Sequence, residues 1–120
     1  MSLKAAPPIK VQKAVEALLT HPGSCTPALR QTVEAHAAQL SGRRVKAAPK
    51  MPEELVTYVN KVTLYAYKVT DQDVQQLKEA GYSEDAIFEI TLCATVGASL
   101  ARLERGLAAM NGEANAPTHS

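Results

Sequence analysis

Large aromatic rings are almost missing from this chain: 120 residues hold no tryptophan, one phenylalanine and four tyrosines. A core built mainly from Ala, Val and Leu is thin, and burial against another subunit is a natural supplement. Charge of either sign is not in excess, with 13 Lys and Arg against 12 Asp and Glu. That balance excludes a general electrostatic pull toward nucleic acid or an acidic membrane surface. Cysteine occurs only at Cys25 and Cys93, too few and too far apart for a disulfide framework. The first ten residues lack the apolar stretch of a signal peptide, and no run of about 18 apolar residues suggests a membrane span. A reducing, cytoplasmic setting is therefore expected. No segment alternates polar and apolar residues with a period of two, so strands are not expected and the fold class is all-α.

What is present is dominated by residues 83–112, SEDAIFEITLCATVGASLARLERGLAAMNG. Ser83 is a good N-cap, Glu84 and Asp85 place negative charge in the first turn, and Gly112 is a fitting stop after Asn111. At about 100° per residue two apolar seams run along this helix. Ala86, Ile87, Ile90, Ala94, Gly97, Ala98 and Ala101 form one of mostly small side chains. Leu92, Val96, Leu100, Leu103 and Leu107 form a bulkier one with Cys93 at its edge. Only Thr91, Thr95, Ser99 and Arg102 make a polar strip. A helix apolar on so many sides belongs at the centre of a bundle or an assembly.

The rest of the chain supplies shorter helices. Residues 1–8 read as a flexible leader ending in a Pro pair. Residues 9–20 carry Val11, Ala14, Val15, Leu18 and Leu19 on one helical side, and His21, Pro22, Gly23 and Ser24 break the helix. Thr26 caps a second helix with Pro27 at its first position, striped by Leu29, Val33, Ala37 and Leu40. Residues 41–51 form a linker carrying Arg43, Arg44, Lys46 and Lys50. A phosphate-contacting patch is one reading of it. The other is a solvated loop, favoured because no aromatic interleaves the charges.

Pro52 opens a third helix expected to reach Lys68, with Leu55, Tyr58, Val59, Val62, Tyr65, Ala66 and Val69 on its stripe. Thr70 and Asp73 resemble a capping box for a fourth helix, which Ala80 and Gly81 end. Val74 and Leu77 should face inward. Residues 113–120 are small and polar and read as a disordered tail. The expected architecture is one domain over residues 9–112, about five helices around a long C-terminal one.

Catalytic signatures are sparse. There is no nucleophile elbow and no phosphate-binding Gly loop. His21, Cys25 and His36 are of ligand type, but no fourth ligand stands at regular spacing, so neither a metal nor a cofactor is expected.

Residues 58–110 carry a resemblance. Val69-Thr70-Asp71 precedes a short helix, then comes Ala80-Gly81-Tyr82-Ser83-Glu84-Asp85, and Ile87-Phe88-Glu89-Ile90 opens a long helix of small residues ending in a Leu-rich stretch. This pattern resembles the C-terminal half of the carboxymuconolactone decarboxylase and AhpD-like alkylhydroperoxidase superfamily. The resemblance spans a little under half the chain and implies an all-helical protein that assembles as a dimer, trimer or hexamer. AhpD-type peroxidases carry Cys-x-x-Cys followed three residues later by His, with an upstream Glu. Here Ala94, Thr95 and Val96 follow Cys93, and Ala28 stands three after Cys25. Without a resolving thiol the paired-thiol mechanism does not carry over. No residue matches the basic group of the decarboxylase branch.

One constellation remains. Glu89 and Cys93 are four positions apart on one helix face. A buried Glu89 would have a raised pKa and could act as a base toward the Cys93 thiol. Alternatively, Cys93 is a small core residue and Glu89 pairs with Arg102 or Arg105 of another chain. Two functions from different classes follow. The first is a catalytically silent AhpD-like domain that works through homo-oligomeric assembly, through residues 83–112, or by binding a partner or small ligand. The second is a single-cysteine thiol peroxidase using Cys93 with Glu89. Nucleic-acid binding through Arg43, Arg44 and Lys46 is a third and weaker reading.

Overall fold

The computed structural model describes residues 7–44 and 50–112, and these form α1 (Ile9–Thr20), α2 (Pro27–Leu40), α3 (Glu53–Leu64), α4 (Asp71–Glu79) and α5 (Glu84–Met110). No strand occurs among the described residues. The fold is an all-α bundle with the long C-terminal helix at its centre. The expected leader (mostly), the middle of the 41–51 linker with Lys46, and the 113–120 tail lie outside the described residues.

Caps act where the sequence puts them. Thr26 accepts the Leu29 N–H and Ser83 accepts the Ala86 N–H. Thr70 and Asp73 form a reciprocal capping box. Gly42, Gly81 and Gly112 take positive φ just past helix ends, where a side chain would be strained.

The small seam of α5 is buried almost residue for residue: Ala86, Ile87, Ile90, Ala94, Gly97, Ala98 and Ala101, together with Cys93. It lies along α2, which offers Val33, Ala37 and Ala38. At Gly97 the contact is backbone to backbone, and a Cβ there would fall on the Glu34 carbonyl oxygen. Leu55, Val59 and Val62 of α3 and Leu77 of α4 complete the core. The buried Tyr58 hydroxyl pairs with the Thr91 hydroxyl at 2.6 Å, and Thr91 in turn donates to the Ile87 carbonyl at 2.7 Å.

Several expectations need correction. The third helix stops at Leu64, not Lys68. Tyr65 leaves helical geometry (φ −141, ψ 52), and Ala66–Lys68 form one 3-10 turn. The chain reverses there, and Lys61 Nζ reaches Asp73 at 2.9 Å, tying the last turn of α3 to the first turn of α4. Tyr65 and Ala66 are consequently exposed rather than on the core stripe. The bulky seam of α5 does not act as one surface. Leu100 faces α1, whereas Leu92 and Leu103 face outward. α1 buries no residue fully, and only its C-terminal Leu18 and Leu19 pack against the core. Separately, α5 is long and apolar enough to cross a membrane by length and composition alone, a test that the core helix of a bundle also passes, and 44% of that window is buried inside the fold.

Gly97→Ala should force α2 and α5 apart and cost about 1–3 kcal/mol. For a domain of this size that is a fall in Tm of at least about 4 °C in a thermal melt.

Candidate functional site

The two residues singled out for chemistry, Glu89 and Cys93, sit on successive turns of α5, yet the structure gives them different surroundings. Residues 21–26 between α1 and α2 cross over α5 at Glu89. The carboxylate accepts the Ser24 N–H at 2.7 Å and the Cys25 N–H at 2.9 Å. Gly23 is needed beside it, since a Cβ there would lie 2.7 Å from Oε2. Arg30 Nε stands 3.9 Å from the other carboxylate oxygen. Burial alone would raise the Glu89 pKa, but the two backbone donors and the Arg30 charge outweigh it and hold the carboxyl below its ordinary 4.5. The expected raised pKa is therefore corrected. An ionised Glu89 held by two backbone donors, with the Arg30 charge beside it, is a weak base, and these partners belong to its own chain. Arg102 donates to the Thr63 carbonyl at 3.2 Å.

Cys93 is sealed in the core at 0% exposure. Burial pushes its thiol up to about 11, and the nearby charges of Cys25 and Glu89 add to the shift against the opposing pull of Arg30. A thiol so perturbed is on the order of one part in ten thousand ionised at neutral pH. Cys25 is buried in the same cluster, with Sγ directed at the Ala86 carbonyl at 3.5 Å, and burial and Glu89 raise its pKa as well.

Arg30 is the residue that sequence reasoning missed. It is buried, and its Nη1 and Nη2 donate to the Leu18 and His21 carbonyls, which closes the C-terminal end of α1. A signal existed: Arg30 and Glu34 interrupt the apolar face of α2 defined by Val33 and Ala37. Two charges inside a core stripe ask for internal partners. Glu34 finds one in Arg43, whose Nη1 reaches it at 2.9 Å while Nε and Nη2 grip Glu104 at 3.2 and 3.1 Å. Burial opposes the Arg43 charge, but these carboxylates overcome it and raise its pKa. Arg43 is thus paired within the fold rather than the free side chain of a solvated loop. His21 is exposed and His36 pairs with Asn60 at 2.7 Å, away from Cys25. Among the described residues no three His, Cys, Asp or Glu side chains converge on a metal-sized site.

No family model, curated protein or solved structure matches the chain. The geometry therefore has to carry the argument. A hollow of about 580 Å³ opens between α1, α2 and α5. Val15, Leu19 and Leu100 form its apolar wall, and Arg43 with its two glutamates closes one end. It has the volume of a small-molecule site, but Arg43, the one cation among its described lining residues, is already paired twice.

Glu89 contributes stability above its ordinary pKa, and the contribution disappears as pH falls through the lowered folded value. Glu89→Gln should destabilise by about 1 kcal/mol at neutral pH, after allowance for solvent screening. Urea midpoints of the two proteins should converge as the pH is lowered from about 7 to about 3.

Proposed function

We propose that this chain is an assembly domain on an AhpD-like helical scaffold, without dithiol peroxidase chemistry. The observation that carries the reading is the state of Cys93: no exposure, a thiol pushed up to about 11, and an adjacent carboxylate committed to holding a turn. A peroxidatic cysteine needs a thiolate that the oxidant can reach. The scaffold part of the proposal is supported by the roles of the landmark residues. Thr70 and Asp71 begin α4, Gly81 and Ser83 form the turn into α5, and α5 is the long small-residue helix that the resemblance implies. Assembly is supported by the apolar residues that α5 keeps on its outer side, Phe88, Leu92, Leu103 and Met110.

Purified protein supplied with peroxide and excess dithiol should consume peroxide no faster than buffer, and Cys93→Ser and Cys25→Ser should not differ from it. Turnover lost only in Cys93→Ser would replace this reading with the single-cysteine peroxidase. Neither native thiol should react with iodoacetamide within the time that full alkylation takes in denaturant. Sedimentation at micromolar concentration should give a particle heavier than the 12.8 kDa chain.

A further inference from the structure

The outer face of α5 has a pattern of its own. One stripe of it from Phe88 to Met110 is uncharged over about 33 Å of helix, with exposed Arg102 and Arg105 to one side. Phe88 is 66% exposed and Met110 82%. An outer helix face normally carries the charged residues. Along this stripe, positions 88, 92, 95, 99, 103, 106 and 110 are spaced by 4, 3, 4, 4, 3 and 4 residues. This is the alternation of a helix-pairing seam, and it reads the same in both directions from Ser99.

We propose that two copies of this chain pair through these faces, antiparallel, about a two-fold axis at Ser99. The inference rests on the assembly reading and names its partner and geometry. Under that axis Leu92 of one copy faces Gly106 of the other, Leu103 faces Thr95, and Phe88 faces the flexible Met110. Each bulky side chain meets a small or adaptable one, and Ser99 lets the backbones approach at the centre. A parallel pairing would set Phe88 on Phe88, leave Gly106 opposite Gly106 as a hole, and bring the acidic first turns together. The antiparallel arrangement instead keeps the two acidic first turns at opposite ends of the pair.

Gly106 supplies the independent observation. A glycine inside a helix is unfavourable relative to alanine, so an interior one usually has a packing reason. Among the described residues nothing lies within 4 Å of a Cβ built at Gly106, so no described contact within this copy explains it. A leucine from a second copy does. The nearby end of α3, which Arg102 holds through the Thr63 carbonyl, adds exposed Leu64 and Tyr65 beside the middle of the seam. A membrane surface fits less well, because the flanks carry Asp85 and Glu89 together with Arg102 rather than a run of cations.

Single exposed cysteines test the register in the full chain, with the buried native pair as an internal control. Ser99→Cys treated with diamide should give a covalent dimer on a non-reducing gel, and wild type should not. An equal mixture of Phe88→Cys and Met110→Cys should cross-link far more than Phe88→Cys alone. Gly106→Leu should weaken the dimer at least tenfold in sedimentation while circular dichroism stays helical. An oligomer that ignores Gly106→Leu and gives no Phe88 to Met110 cross-link would leave the assembly reading standing and overturn this geometry. Stronger cross-linking of Phe88→Cys to itself would replace it with a parallel pair. A wild-type monomer would overturn both, and a monomer that floats with phosphatidylcholine vesicles would give the face to a lipid surface.

Discussion

The rest of the structure depends on how closely α2 and α5 approach at Gly97 and Glu34. Backbone contact at that point requires small residues along the whole seam, which is why Ala94, Ala98 and Ala101 lie there with Ala37 and Ala38 opposite. A seam of alanines removes little apolar area from water per residue. The larger apolar groups must then come from elsewhere, and they do: Leu55, Val59 and Ile90 fill the space between α3 and α5. Because the small face of α5 is turned inward, its leucines are left for the sides and the outside. A scarcity of rings and an apolar outer face are two results of one packing choice.

Buried charge then fixes how the helices stand along one another. Near the start of α5, Glu89 holds the 24–25 turn and Arg30 holds the end of α1; farther along, Arg43 bridges Glu34 of α2 to Glu104. Such groups pay a desolvation penalty close to what their pairing returns. Their worth is in register: an alanine seam slides more readily than one of interlocking bulky side chains, and fixed polar contacts at separated points resist sliding. Glu89 illustrates how completely a structural duty alters chemistry. The backbone donors that make it a good staple also lower its basicity, and the burial that makes Cys93 a good core residue raises its thiol.

Local features were legible in the sequence and distant ones were not. Thr26, Thr70 and Ser83 announce helix starts because a capping side chain acts within three residues, and the small seam of α5 follows from periodicity alone. The end of α3 was misplaced because the apolar stripe continues through Tyr65 and Ala66, while the chain reverses there, tied by Lys61 and Asp73 across a turn. The surroundings of Glu89 depend on residues 64 and 65 positions away, a separation that periodicity cannot bridge. Arg30 was visible only as an unexplained charge in an apolar stripe. A charge in such a place asks for a partner without naming it.

The two glycines inside α5 show why its faces should be understood together. Gly97 and Gly106 are nine residues apart, which at about 100° each places them on opposite sides of the helix. The inward one is accounted for to the atom, since the Glu34 carbonyl occupies the place its side chain would take. The outward one faces open space within its own copy. Both interrupt a helix that alanine would favour, and both lie in an uncharged row of residues, with Arg102 one turn to the side of the outward one. On the inner side that combination is what lets a second helix lie against α5. The same combination on the outer side is what the proposed pairing with a second copy would use.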